Sequence, residues 1–99
     1  MTVQEVKKQI LPILKRQNVI KAAVFGSVAR NEAKKRSDVD LLVEFGKNKE
    51  PGLFGFVDFK LELEEKLQRK VDLLTYNSIH PLLKDLILNN QKIIYEKRS

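Results

Sequence analysis

The chain has 99 residues, 42% of them hydrophobic and 32% charged, a composition typical of one ordinary globular domain. It contains no cysteine, which excludes disulfides and thiolate metal sites, and no apolar run approaches the ~20 residues that cross a bilayer. The 19 Lys and Arg against 13 Asp and Glu give a net charge of +6, but the excess lies in short scattered groups, so charge alone selects no partner. Because the N-terminus also lacks the apolar stretch of a signal peptide, we expect a cytoplasmic protein with no membrane association.

Hydrophobic periodicity predicts helices and strands that alternate along the chain. Apolar residues at helical spacing predict a first helix over 3–17, with a kink or a new start at Pro12. A short apolar run that ends at Gly26 predicts a strand over 21–25, and a brief helix follows over 27–33.

The remaining predicted elements, in chain order, are a strand over 38–45, a loop over 46–52, a helix over 53–68, a strand over 70–76, a helix from 77 or 78 to about 88, and a strand over 92–95. This alternation predicts an α/β or α+β fold in which helices cover a small sheet. Four leucines extend over more than one side of the last predicted helix: Leu82, Leu83, Leu86 and Leu88. Part of that helix surface either faces a partner or is buried within the chain.

The second predicted strand carries the most informative residues. Asp38 and Asp40 are two residues apart and therefore project from the same face of the strand, while Val39 and Leu41 point into the core. Two carboxylates this close repel each other, and cations between them relieve the repulsion. Because Mg²⁺ binds to one or two carboxylates together with substrate phosphates, we expect Asp38 and Asp40 to be magnesium ligands.

Gly26 and Ser27 precede these aspartates, with ten residues between Ser27 and Asp38. A glycine at a strand-to-helix turn lets backbone N–H groups approach a phosphate, and Ser27 adds a hydroxyl donor. Arg30 lies three residues further on, so its guanidinium could reach the phosphates or the carboxylates. The pattern indicates a phosphate-binding turn that faces a metal site.

A third carboxylate, Asp72, alternates with Val71 and Leu73 on the third predicted strand. If this strand is a neighbour of the second, Asp72 can join Asp38 and Asp40. Three carboxylates can hold two metal ions ~3.5–4 Å apart, as in-line phosphoryl displacement requires. A plainer interpretation also fits the residues: the aspartates could be solvated on a half-exposed strand beside an ordinary turn.

At these residues the sequence resembles the polymerase-beta-type nucleotidyltransferase superfamily, and specifically the minimal nucleotidyltransferases that serve as antitoxins of HEPN-domain toxins. The resemblance covers nearly the whole chain and implies a small mixed sheet of about four strands flanked by helices, in a single minimal nucleotidyltransferase domain over 1–99. It implies that Gly26 and Ser27 bind the triphosphate of ATP. It also implies that Asp38, Asp40 and Asp72 are catalytic and bind Mg²⁺, with Asp72 as base.

The resemblance further implies a protein adenylyltransferase: AMP passes from ATP to a tyrosine hydroxyl of the partner toxin, with which the chain could assemble as an oligomer. Two alternatives stay open. The chain could neutralise its toxin by occlusion without catalysis, or it could transfer a nucleotide to a small molecule or an RNA end. The lack of a dense basic stripe with interleaved aromatic residues argues against a nucleic-acid partner.

Overall fold

The computed structural model describes residues 1–34 and 37–97. Its elements, in chain order, are α1 Val3–Arg16, β1 Val19–Phe25, α2 Gly26–Ala29, β2 Val39–Phe45, α3 Leu53–Leu67, β3 Val71–Thr75, a 3-10 turn Tyr76–Ser78, α4 Pro81–Asn90 and β4 Lys92–Glu96. In these residues the strands form one mixed sheet in the order β3-β2-β1-β4, where β2 is parallel to β3 and the other pairs are antiparallel. The predicted mixed sheet of about four strands is therefore confirmed. Within the two described ranges, no helix is long and apolar enough to span a membrane.

Helix α1 begins where the sequence supplies a cap. The Thr2 hydroxyl accepts a hydrogen bond from the N–H of Glu5 at 3.1 Å, which satisfies one of the free donors of the first turn. The helix continues through Pro12, where the sequence predicted a kink or a new start. Because Pro12 is exposed, water can bond to the carbonyl that lacks an N–H partner, and the helix is not interrupted.

The larger core lies on the sheet face that packs against α1 and α3. Phe59 of α3 is fully buried, and its ring meets that of Phe45 edge-on with centroids 5.8 Å apart. Val39, Leu41 and Val43 of β2 are fully buried on the same face. Since side chains alternate along a strand, this burial directs Asp40 to the opposite face of the sheet.

Helix α4 and the 3-10 turn cover that opposite face. A smaller apolar cluster lies beneath them and consists of Ala23, Phe25, Leu42 and Ile79. Helix α4 begins at Pro81, later than predicted, because residues 77 and 78 belong to the 3-10 turn. Its cap is His80, whose Nδ1 accepts a hydrogen bond from the N–H of Leu82 at 3.1 Å. None of the residues of α4 is fully buried, so this helix only partly covers the sheet.

Candidate active site

Asp40 and Asp72 lie side by side on adjacent strands. In the parallel pairing of β2 with β3, Asp40 is the direct partner of Asp72, and in the antiparallel pairing with β1 it is the partner of Phe25. The strand alternation places both carboxylates on the face covered by α4. The structure therefore brings together two of the three carboxylates that the sequence singled out, and Asp38 immediately precedes the same strand.

The carboxylate of Asp40 also lies directly against the backbone of Gly26. Gly26 has a φ of +71°, a conformation that only glycine adopts at little cost. A Cβ atom added to Gly26 would overlap Oδ2 of Asp40. A glycine is thus required here for two independent reasons, and the strand-to-helix turn comes into contact with the carboxylate that was predicted to bind a metal.

Helix α2 is a single turn and ends at Ala29, earlier than the predicted end at residue 33. Asn31 takes a left-handed conformation with φ 59°, and the N–H of Glu32 donates to the carbonyl of Ser27 at 2.8 Å, a helix-ending motif that residue type alone did not reveal. One turn of helix has only a small dipole, so phosphate binding would depend on local N–H groups and on the Ser27 hydroxyl. That hydroxyl has no hydrogen-bond partner among the described residues.

Arg30 is the C-cap residue of α2. Its Nε donates to Oε2 of Glu32 at 3.1 Å, which leaves the terminal guanidinium nitrogens for other partners. Its positive charge is close enough to Asp40 to act against the rise in the pKa of that carboxyl. That Arg30 reaches the phosphates or the carboxylates stays a prediction.

Burial of Asp40, reinforced by the negative charges of Asp72 and Asp38, raises the pKa of its carboxyl to about 6. Desolvation and like charges both disfavour the ionised form, so the folded protein holds Asp40 in an unfavourable electrostatic environment near neutral pH. Perturbed carboxyls of this kind are concentrated at functional sites. The arrangement is that of a site which a cation would stabilise.

Two hydrogen bonds that the sequence did not reveal fix the chain at the start of β3 and in the segment that precedes β2. Oε2 of Glu64, on α3, accepts from the N–H of Val71 at 2.8 Å. Nη1 of Arg69 donates to the carbonyl of Lys34 at 3.2 Å. Arg69 and Lys34 are 35 positions apart, so only the fold shows that they are partners.

The donor set suits Mg²⁺, which takes oxygen ligands and is usually held by one or two carboxylates together with phosphates and water. Among residues 1–34 and 37–97, no three acidic, histidine or cysteine side chains converge into a ready-made metal cluster. Asp38 and Asp72 are exposed, so their carboxylates have room to turn toward a cation beside Asp40. The residues therefore fit Mg²⁺ bound together with a phosphate ligand better than a cage formed by protein alone.

The raised pKa of Asp40 makes a specific stability effect measurable. Because the folded pKa of about 6 exceeds the ordinary value of 3.8, protonation of Asp40 favours the folded state; this stabilisation is complete below the unfolded pKa and is lost as the pH rises through about 6. Asp40→Asn removes the charge and keeps the shape of the side chain. We expect thermal melts in EDTA to give the Asp40→Asn protein about the same melting temperature as wild type near pH 3, where Asp40 is protonated in both states. Above about pH 7 the Asp40→Asn protein should be more stable than wild type by a few degrees.

Asp58→Asn is the matched control, since Asp58 is an exposed carboxylate on α3. Its melting temperature should follow that of the wild type throughout. An unfolded Asp40→Asn protein, or a stability difference that does not change with pH, would mean that Asp40 has a structural role instead.

Comparison with known proteins agrees with this geometry. The sequence profile of the family described as polymerase beta, nucleotidyltransferase, matches residues 8–99. A protein of Methanocaldococcus jannaschii named protein adenylyltransferase MJ0435 is 57% identical over 89 residues, which cover 90% of this chain and 94% of that protein.

Two solved structures resemble the fold. One, described as a minimal nucleotidyltransferase, has a TM-score of 0.75 and 32% identity and covers 93% of this chain and 95% of its own. The other contains the tri-AMPylated HEPN toxin of Shewanella oneidensis in complex with its MNT antitoxin; it has a TM-score of 0.73 and 17% identity, and the match covers 97% of this chain and 74% of that one. From the profile match and the 57% identical relative, the chain belongs to the polymerase beta nucleotidyltransferase family.

Proposed function

We propose that this chain transfers AMP from ATP to a tyrosine hydroxyl of a HEPN-type toxin and acts as its antitoxin. One observation carries the chemistry: the Asp40 carboxylate lies against the Gly26 backbone and beside Asp72, so the Gly26 turn and the acidic residues meet at one point. Such an arrangement can bind a metal–triphosphate complex, because the carboxylates can bind the metal and the backbone N–H groups of the turn can bind the phosphates.

The relatives support the type of reaction and the partner. The protein named as an adenylyltransferase is 57% identical along almost the whole chain, so the same transfer is the simplest activity to propose here. The solved complex of an AMPylated HEPN toxin with its MNT antitoxin is only 17% identical, and it contributes a fold likeness together with a candidate partner. The partner is thus proposed from similarity to known proteins, and the catalytic site is proposed from the geometry of this chain.

Asp38, Asp40 and Asp72 would hold one or two Mg²⁺ ions, and the bound metal would neutralise the triphosphate and the developing negative charge. The N–H groups that follow Gly26 and the hydroxyl of Ser27 would hold the phosphates in position. Binding both groups in a fixed geometry lowers the entropic part of the barrier.

The transfer forms a bond from the acceptor oxygen to the α-phosphorus and breaks the bond to pyrophosphate, which leaves with the bond's electron pair. Asp72 would take the proton of the acceptor hydroxyl. It is exposed, so an acceptor on another molecule can approach it. Arg30, whose positive charge acts on Asp40, would balance the charge of the phosphates.

The tyrosine nearest this sheet face is a poor acceptor within the chain itself. The Tyr76 hydroxyl donates a hydrogen bond to Oε1 of Gln91 at 2.7 Å. Burial, together with the nearby Glu44 and Glu96, raises the pKa of the Tyr76 phenol to about 12, which makes its oxygen harder to deprotonate. An acceptor hydroxyl supplied by another protein is therefore the better proposal.

The outer face of α4 is the surface on which we propose that the toxin docks. Leu82 and Leu86 are 87% and 62% exposed, and they are neighbours one helical turn apart. Helix α4 packs against α2 and β1 and covers the same sheet face that carries Asp40 and Asp72. A partner bound to this apolar face would have its own surface next to the carboxylates.

Co-expression with the toxin tests the transfer. We expect mass spectrometry to find the toxin heavier by one or more AMP units on tyrosine, and Asp38→Ala/Asp40→Ala to leave it unmodified and active, because the metal ligands are gone. Asp58→Ala/Glu62→Ala is the control for loss of two carboxylates elsewhere. If the Asp38→Ala/Asp40→Ala protein still neutralises the toxin fully at matched expression, occlusion is the mechanism; AMP found on RNA or a small molecule would refute the protein acceptor.

Docking has a separate test. We expect Leu82→Glu/Leu86→Glu to weaken toxin binding by tenfold or more, on the order of what two interface anchors contribute, while the protein stays folded because both leucines are exposed. Phe54→Glu on α3 is the matched control, since Phe54 is 84% exposed on the other side of the sheet. Calorimetry with purified toxin gives the affinities. If Phe54→Glu weakens binding and the α4 variant does not, the docking surface is wrong.

A further inference from the structure

Four lysines from three segments that are far apart in the sequence border one small cavity. The cavity has a volume of about 260 Å³, and its lining includes Lys15, Lys47, Lys49 and Lys97 together with Asn18 and Tyr95. The lysines come from the end of α1, the loop after β2 and the residue after β4. The sequence shows these charges as scattered, and the fold gathers them.

The cavity lies at the end of the sheet away from the candidate active site. Val19 pairs with Phe45 at this end, whereas Phe25 pairs with Asp40 at the other. From Val19 to Phe25, at ~3.3 Å per residue, the strand extends about 20 Å. A ligand of the lysine cavity would therefore not occupy the site formed by Gly26 and the carboxylates.

Backbone hydrogen bonds fix the segments that carry the lysines. The N–H of Gly46 donates to the carbonyl of Asn18 at 2.9 Å, and the N–H of Lys49 donates to the carbonyl of Gly46 at 2.9 Å. The N–H of Lys97 donates to the carbonyl of Ile20 at 2.7 Å. The positions from which these side chains extend are thus set by the fold, and binding an anion would require ordering of the side chains alone.

The charged side chains that line this cavity are all positive. No carboxylate is among the described residues that line it, whereas the adjacent cavity, which shares Ile20 and Lys47, includes Glu44 and Glu50. The carbonyls at the end of α1 offset part of the charge of Lys15. The remaining ammonium groups repel one another, and an anion between them would relieve that repulsion.

We propose that this lysine cavity is a second anion site, which binds phosphate groups of a nucleic-acid strand or of a free oligophosphate. Lysine ammonium groups bind phosphate as point charges, and two other residues that line the cavity, Asn18 and Tyr95, have side chains that can donate hydrogen bonds. The net charge of +6 favours the approach of such polyanions. The site is independent of the proposed transfer reaction.

Amide chemical shifts locate the site directly. Tripolyphosphate and a short single-stranded RNA are titrated separately into the Asp38→Ala/Asp40→Ala protein in EDTA, which removes metal-dependent binding at the carboxylates. We expect the amides of Asn18, Gly46 and Lys49 to shift progressively. Shifts confined to Gly26 and its neighbours, or none at all, would overturn the proposal.

Matched variants distinguish a specific phosphate site from an effect of the net charge of the protein. We expect Lys47→Gln/Lys49→Gln to weaken RNA binding roughly tenfold and to lower the slope against salt by about 1.4, since each contact with a single strand contributes about 0.7. Lys7→Gln/Lys8→Gln removes the same charge from exposed residues of α1 and should change the affinity less than about twofold. Equal weakening by both variants would mean that only the net charge matters, and the proposal would fail.

The two phosphate sources give different results, and both results support the site. RNA that binds more tightly than tripolyphosphate, with both dependent on Lys47 and Lys49, indicates a nucleic-acid strand. Tripolyphosphate that binds at least as tightly indicates a free oligophosphate. In either case the AMP-transfer activity of Lys47→Gln/Lys49→Gln should equal that of the wild type, which keeps this test separate from the test of the proposed function.

Discussion

The close approach of the Asp40 carboxylate to the Gly26 backbone is the contact on which the candidate site depends. It requires a residue without a side chain at Gly26, and it requires that β1 and β2 be paired so that Phe25 lies opposite Asp40. The parallel pairing of β2 with β3 then adds Asp72 beside the same carboxylate. A shift of one residue in either register would send Asp40 or Asp72 to the other face and separate the turn from the carboxylates.

Burial of the opposite face of β2 holds the repelling carboxylates of Asp38, Asp40 and Asp72 in place. Burial and like charges raise the pKa of Asp40 to about 6, so the cluster opposes folding near neutral pH. On the other face of the same strand, Val39, Leu41 and Val43 are fully buried against α1 and α3. The apolar face of β2 thus stabilises the strand, while its polar face carries charges that favour a bound cation over an empty site.

Some of this could be predicted from the sequence, because it follows from local patterns. The alternation of Asp38 and Asp40 with Val39 and Leu41 predicted which side chains share a face. The apolar runs predicted a small sheet covered by helices, and the family resemblance implied that its strands pair in a mixed sheet. The early end of α2 could not be predicted, since it depends on a left-handed Asn31. The lysine cavity and the exposed leucines of α4 depend on contacts between distant segments, which residue spacing does not encode.

If the proposed function is correct, the carboxylates and the Gly26 turn bind one triphosphate together, through Mg²⁺. Calorimetric titration of ATP, first with Mg²⁺ and then with EDTA, measures this coupling. The Lys47→Gln/Lys49→Gln background reduces the contribution of the lysine cavity to the measured affinity. Because uncompensated carboxylates repel the triphosphate, we expect the affinity for ATP to fall by about tenfold or more when Mg²⁺ is chelated. Equal affinity with and without Mg²⁺ would contradict the account and leave Gly26 and Ser27 as a simple anion-binding turn.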